Sequence, residues 1–517
     1  MTDDPLLAEG LTQEAARDVG TVAKGGAIQI VGQMSERGLG FLFHAATLQL
    51  LGPGGFGLLR QVEQLLTIAG QLGLTGFNYA VMRFITLARA AKQPGGVRGA
   101  AQVGMAGALI GSAIVVIGLL TGTDLVSERF ADPGDVAAFS RLLWIGAAYV
   151  PLFGILQVLR YSTQAYRTMV PSVVAGSIVK PVTRTVIGVG LVLAGFSVAG
   201  AVVSLVISAA IGTVVAGWFF LRMITAEERA ATPKRAVGPM IRFALPQGGS
   251  SLFGIQSLGL GILLLGALNT DAEVAFFAVG LGLQGPGNIF LGGIVNIWAP
   301  VVSDLHARGD IARLDSLYKT INRWVATFSF PVFAAMIIEA DLFIRTFFPK
   351  AFPGAVAVAI ILAAGNLFYV GTGPTGYVIS MTGRPGVNFA NSVVGVVLYL
   401  ILGIIFVPKY GAIGMAIVDS SVTVVINSAR VVQAKVLVGV QPFGRSYIKP
   451  VAATLAGSAV TFAFSFFADE KWPLEVTGIA LGGIVFVLVL RVMGLDPEEQ
   501  HVWQRIKERA FKLKRRG

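Results

Sequence analysis

The chain has 517 residues, of which 54% are hydrophobic and only 13% charged, whereas an ordinary soluble domain carries roughly 25% charged residues. Its mean hydropathy of +0.74 excludes such a domain, and the absence of Cys excludes disulfides and thiolate metal sites. The net charge of +12 raises nucleic acid as a partner, but the charges are distributed in a way that argues against it, as shown below.

Residues 1–23 are polar and acidic and lack the basic, apolar, small-residue order of a cleaved signal peptide. They are expected to form a cytoplasmic N-terminal segment. Beyond them, apolar stretches of roughly 20 residues recur along the chain. The expected fold class is therefore an all-α polytopic membrane protein with about 14 transmembrane helices. The alternating ten-residue pattern of a β-barrel is not seen. In chain order the helices are predicted at 24–50, 55–82, 98–121, 137–160, 171–194, 198–221, 241–268, 272–303, 318–338, 354–381, 387–407, 412–434, 447–467 and 474–494. Pro246, Pro286 and Pro374 fall inside three of these and mark expected breaks. After them, 495–517 begins with Asp496-Pro497, a helix-start pair, and continues as a basic amphipathic segment. It reads as a cytoplasmic tail lying on anionic membrane lipids rather than on RNA.

The loops set the orientation. Alternate loops hold Arg83, Arg89, Lys92 and Arg98; Arg160 and Arg167; Arg222, Arg229, Lys234, Arg235 and Arg242; Arg308, Arg313, Lys319 and Arg323; Arg384; and Arg430, Lys435, Arg445 and Lys449. With Arg17, Lys24 and the tail, this side has about 30 of the 40 Lys and Arg. The opposite loops hold Arg129, Arg141, Arg345, Lys350, Lys409 and Lys471. The excess of basic residues predicts that both termini are cytoplasmic, in a plasma (inner) membrane protein.

At an offset of 214, residues 171–201 lie over 385–415, with Pro171 on Pro385, Phe196 on Tyr410 and Gly200 on Gly414. Six helices separate the two copies, and an even number preserves orientation, so they read as parallel repeats. The implied plan is an N-lobe at 24–222 (helices 1–6), an inter-lobe linker at 223–240, a C-lobe at 241–437 (helices 7–12), and an unrepeated helix pair at 447–494.

Four cations fall inside apolar spans: Arg37, Arg60, Lys180 and Arg184. Each costs about 2.5–3.5 kcal/mol at mid-bilayer. Lys180 and Arg184 share a helix face, yet the repeat carries Val394 and Leu398 at the corresponding places, so the scaffold does not require them. One reading is internal pairing: Glu63 is three residues from Arg60, and Glu36 can reach a cation on a neighbouring helix. The other is a cationic, partly hydrated cavity that binds a diphosphate, because guanidinium groups match phosphate bidentately. Glu36, Glu63 and Asp419 are candidate counter-charges or sites for a coupling ion, H+ or Na+. Gln29, Gln33, Gln61, Gln64, Asn78, Gln164, Gln256, Gln284 and Asn288 line a cavity or hold helices together. His44, His306 and His501 match no metal motif, GSSLFG and LGPGGFG are not nucleotide loops, and no catalytic acid pair or loop is present. No metal or cofactor is expected, and the chain reads as no enzyme.

LGPGGFGLLRQVEQLLTIAGQLGLTGFNYAVMRFI (51–85), YSTQAYRTMVPSVV and KYGAIGMAI resemble the signature segments of the polysaccharide flippases. That family lies within the multidrug/oligosaccharidyl-lipid/polysaccharide exporter superfamily. SERGLGF (35–41) is similar to the first-helix region of the related lipid II flippases, whose arginine there serves the cavity; this carries over to Arg37. The chain departs from the usual pattern at Arg60, Gln61 and Glu63. The resemblance implies a transporter that flips a polyprenyl-diphosphate-linked oligosaccharide to the outer leaflet by alternating access. It implies a lipid-linked glycan as substrate and polysaccharide-assembly enzymes as partners. The alternatives are an ion-coupled drug antiporter of the same superfamily and a membrane scaffold without transport.

Overall fold

The structure is a computed structural model that describes residues 5–166, 168–252, 259–351, 353–468 and 471–494. Among these residues every regular element is a helix and there is no strand, as lipid demands of a chain that must satisfy its own backbone. Among the described residues, eight helical stretches are long and apolar enough to cross a membrane, and a pair bent by 48°, Asp271–Leu283 with Gly285–Ile294, makes a ninth. Two of the eight, Val170–Met223 and Pro385–Val438, have 54 residues each. At 1.5 Å per residue each is about 80 Å long, far more than the roughly 30 Å of a hydrocarbon core. Each must therefore hold two crossings joined by a reversal.

The backbone shows where the reversals lie. Ser197 has φ 49°, ψ −141°, and Gly411 has φ 53°, ψ −133°. They are 214 residues apart, the offset of the sequence repeat, and both follow the aligned aromatic, Phe196 or Tyr410. Gly200 and Gly414 then pass so close to these aromatics that a Cβ would stand 3.0 Å and 3.1 Å from the aromatic Cβ. The same turn is built twice from different residues. A third reversal interrupts Pro5–Leu74 at Gly52 (φ 75°, ψ 174°), just before Pro53. This backbone is open to Gly and costly for any other residue.

The predicted breaks at Pro286 and Pro374 are present: the first stands at the hinge of the bent pair, the second between Gly354–Thr372 and Thr375–Met381. Pro246 is different, because Val237–Leu252 runs through it as one helix. The second predicted helix, 55–82, breaks at Thr75 and Gly76, where φ is positive, and restarts as Phe77–Ala90. The opposite-side loop that carries Arg129 contains the short helix Thr123–Phe130.

The described chain divides into two compact units. The first is Met1–Gly282 with Phe347–Gly354 and Val396–Met415; the second is Leu283–Thr346 with Ala355–Gly395 and Ala416–Gly517. In the first, Phe43, Leu59, Leu66, Val81, Phe139 and Leu143 are buried in one apolar core. Ile110, Ile114 and Ile117, by contrast, are more than 60% exposed along one face of Pro94–Thr121, a stripe suited to lipid and not to water. In the second unit Trp298 stacks on Tyr318, whose hydroxyl is 2.6 Å from Thr375 Oγ1. Ile448–Ala468 and Trp472–Met493 pack as a close pair in which Gly457 and Gly482 leave no room for a Cβ: one at Gly457 would lie 2.6 Å from the Gly482 carbonyl oxygen.

The linker predicted at 223–240 is pinned to the first unit. Lys234 donates its backbone N–H to Gly95 O at 2.8 Å, and Arg98 donates to Arg229 O at 2.9 Å. A capping box at Thr225 and Glu228 starts the short helix Ala226–Ala230. Glu228 also accepts from the Tyr166 hydroxyl at 2.9 Å and pairs with Arg89 at 3.4 Å, while Arg89 lies 4.0 Å over the Tyr166 ring. Burial first, and then the Glu228 carboxylate, push the Tyr166 phenol up.

Candidate functional site

The reversal at Gly52 builds the site. His44 and Arg60 are sixteen residues apart, which in one straight helix would separate them by about 24 Å. Folded back on itself, the chain brings Arg60 Nη1 to 3.0 Å from His44 Nε2. Arg can only donate, so Nε2 accepts and the imidazole proton belongs on Nδ1. The same Nη1 donates to Glu63 Oε2 at 2.9 Å, and His44 Nε2 lies 3.9 Å from that oxygen.

Arg184 arrives from a third segment, Lys180–Leu191, and pairs with the other oxygen of Glu63. Its guanidinium lies 4.3 Å over the Phe43 ring. Glu63 is thus nearly buried between two cations whose side chains each keep about one fifth of their surface exposed. The sequence offered Glu63 as a partner for Arg60 and none for Arg184 on its own helix; the fold gives both the same carboxylate.

Lys180 is one turn before Arg184, half-buried. Its Nζ is 3.4 Å from the Tyr149 hydroxyl, and 5.4 Å and 5.8 Å from the Tyr149 and Phe153 ring centroids. These contacts hold the ammonium through ring faces and one neutral hydroxyl, leaving its charge in place. The helix there is irregular for a local reason. Pro181 cannot donate to the preceding turn, and the wider π-turn Val174–Val179 takes up the mismatch. Arg37 is exposed two turns before His44, on the same helix face.

Glu36 belongs to a neighbouring group. It accepts from Ser177 Oγ at 3.0 Å and interacts electrostatically with Arg160. Arg160 was expected in a cytoplasmic loop, yet it lies within the helix Tyr149–Gln164. Its Nε donates to Ser172 O at 3.1 Å, its Nη1 donates to Gln157 at 3.1 Å, and it passes across Gly176, where a Cβ would be 2.2 Å from Cζ. Glycine at 176 is what lets the guanidinium cross the helix. Arg323 and Arg430, also assigned to loops, fall within Ile311–Ile338 and Pro385–Gln433 in the second unit, with Arg323 buried. Cations inside helices are therefore not confined to the first lobe. The predicted spans 137–160, 318–338 and 412–434 already reached these residues, and counting them with the loops overlooked that.

Asp419 is half-buried in the second unit, on Pro385–Gln433. Several polar residues act between helices: Gln61 bonds Asp271, Gln164 donates to Ser172 Oγ at 2.8 Å, and Asn288 donates to Asn366 at 2.9 Å. Gln256 and the 495–517 tail lie outside the described residues. His44 and Arg160 are the members that sequence reasoning missed. A His sixteen residues away from its Arg partner leaves no local signal, because only the Gly52 reversal makes the two adjacent.

Among solved structures, the chain is similar to the lipid II flippase MurJ in an inward closed conformation, with a TM-score of 0.71 at 12% identity over 90% of this chain and 98% of that one. It is similar to an inward-facing multidrug resistance MATE family transporter of the MOP superfamily, with a TM-score of 0.65 at 16% identity over 79% of this chain and 98% of the other. A MOP superfamily transporter from Pyrococcus furiosus matches with a TM-score of 0.57 at 15% identity over 81% and 95%. At these identities the likeness is one of fold. No curated protein sequence matches at a significant level. The sequence profile of the family described as polysaccharide biosynthesis protein matches residues 22–306, more than half of the 517. The segment it covers contains the reversals at Gly52 and Ser197 and every cation of the site, and the chain belongs to that polysaccharide biosynthesis family, with a fold like that of the lipid II flippase MurJ and the MATE family transporters.

Proposed function

We propose that the protein flips a polyprenyl-diphosphate-linked oligosaccharide from the cytoplasmic to the outer leaflet of the plasma membrane, and that Arg37, Arg60, Lys180 and Arg184 hold the diphosphate. The observation that carries this reading is the charge balance of the cluster. One carboxylate, Glu63, serves both Arg60 and Arg184, and Lys180 meets aromatic faces and a phenol. A net positive, partly exposed group in an apolar setting is suited to an anionic headgroup. Glu63 spaces the guanidiniums and keeps their affinity moderate, which release requires, since a ligand shifts a conformational equilibrium only by its differential affinity.

In this mechanism the lobes at 24–222 and 241–437 alternate between inward and outward access, the prenyl chain stays in lipid, and the outward-positive potential favours return of the empty cationic site to the inside. Coupling to H+ or Na+, with Glu36, Glu63 or Asp419 as the acid, and docking to polysaccharide-assembly enzymes are further parts of the proposal. So is the basic tail on anionic lipid. An antiporter of cationic drugs needs acids in excess at its site, the reverse of this balance.

The test is flipping of a fluorescent polyprenyl-diphosphate oligosaccharide in proteoliposomes. Lys180→Gln with Arg184→Gln is expected to lower the rate at least about tenfold, the loss of one charge-assisted hydrogen bond. An unchanged rate in the folded double variant rules the assignment out.

A further inference from the structure

Three carboxylates meet in the second unit, far along the chain from the cationic cluster. Glu339 ends the helix Ile311–Ile338, Asp341 lies in the first turn of Ala340–Phe347, and Glu475 lies in the first turn of Trp472–Met493. One ligand oxygen from each falls within 4.8 Å of the other two. That is the spacing of oxygens around a hard cation, which takes carboxylates at 2.3–2.6 Å.

Acids gather at many helix ends without binding anything. Here a second observation separates this group from those. Glu339 is fully buried, Ser465 is its one hydrogen-bonding neighbour among the described residues, and neither carboxylate oxygen has a well-formed bond. A buried carboxylate compensated only by one neighbouring hydroxyl and a guanidinium it shares with two other acids is poorly satisfied, and such surroundings suit a further cationic ligand. The one cation paired with the cluster among the described residues, Arg345, engages Oε2 of Glu475 and is 3.8 Å from Oδ2 of Asp341. Three carboxylates against one guanidinium leave a formal charge of −2.

We propose that Glu339, Asp341 and Glu475, with Ser465, form a binding site for a hard divalent cation of the Ca2+ class. The charge balance favours a divalent over a monovalent ion, and the all-oxygen donor set favours Ca2+ or Mg2+ over a transition metal. Donors from three helix ends and one side hydroxyl form an irregular set. Ca2+ accepts such a set, whereas Mg2+ demands a near-ideal octahedron. The loops carrying Arg345 and Lys471 are those that the basic-residue count places outside the membrane, where a site of extracellular type has a Kd of about 10⁻⁴–10⁻³ M. A bound ion would tie the start of Trp472–Met493 to the end of Ile311–Ile338 and so hold the C-terminal helix pair to its unit. This inference does not depend on the flippase reading.

The experiment is calcium titration by calorimetry on the purified full-length protein in detergent, with thermal unfolding in CaCl2 against EDTA. Wild type is expected to bind one Ca2+ in that range and to gain about 2 °C or more in Tm at ten times Kd. Glu339→Gln, close in shape, is expected to lose at least tenfold in affinity. Arg345→Gln removes the competing charge and is expected to bind Ca2+ several-fold more tightly, a change that a damaged fold would not produce. Absence of calcium heat and Tm shift in wild type, an unchanged affinity in Glu339→Gln, or an equal shift from NaCl at matched ionic strength would each overturn the proposal.

Discussion

At the scale of single residues, Glu63 matters most in the cationic cluster. With Arg60 at 2.9 Å on one oxygen and Arg184 on the other, it is the only group that lets two guanidiniums lie side by side in the first unit among the described residues. Breaking a buried pair from one side costs about 3–5 kcal/mol, because it strands the remaining charge. Here the guanidiniums retain about one fifth of their surface, so water recovers part of that. Glu63→Gln is therefore expected to destabilise by somewhat less than that range, about 2–3 kcal/mol, read as a lower Tm in detergent. The loss is expected to shrink when Arg184→Gln is added, since the second change removes one of the stranded charges. The pairing of Arg60 with Glu63 was legible from their three-residue spacing. Arg184 with Glu63 was not, because 121 residues and a chain reversal separate them.

Among elements, the twin reversals offer the sharpest contrast. Ser197 and Gly411 have nearly the same φ and ψ, in a region that suits only glycine. The sequence repeat pointed to this place through an aromatic and a glycine, and the conformation explains the spacing: the aromatic precedes the strained residue and the later glycine passes beside it. Gly411→Ala is expected to cost about 1–3 kcal/mol in backbone strain. Ser197→Gly is expected to stabilise by about 0.5 kcal/mol or more, with strain relief exceeding the cost of the extra entropy that glycine gives the unfolded chain. Thermal unfolding of the two variants side by side checks both signs. Pro246 teaches the opposite lesson, since a proline in an apolar helix can be absorbed by its neighbours and does not by itself mark a break.

For the whole molecule, the expected orientation rests on the sequence count that assigns about 30 of the 40 basic residues to one side, three of which, Arg160, Arg323 and Arg430, lie within helices. Pro94–Thr121 has 28 residues, about 42 Å of helix, so its two ends lie on opposite faces of a bilayer. Gln93 and Asp124, just beyond those ends, are both exposed. Because the chain has no Cys, single cysteines can be labelled without background. A membrane-impermeant maleimide applied to intact cells is expected to label Asp124→Cys and to spare Gln93→Cys until the membrane is opened. Labelling in the reverse pattern would invert the assigned orientation.

Helical class, membrane residence, the repeat and the presence of costly cations in apolar spans were all determined by the sequence alone. They follow from hydropathy, period and charge count, which are additive along the chain and need no knowledge of what folds against what. Tertiary structure alone decided which charges share a partner. Glu63 joining Arg60 to Arg184, His44 accepting from Arg60, Arg160 crossing Gly176 and Glu339 facing Glu475 are all contacts between segments brought together by reversals. Such contacts depend on the direction in which a chain leaves a turn, as the dihedral angles at Gly52 decide for His44 and Arg60.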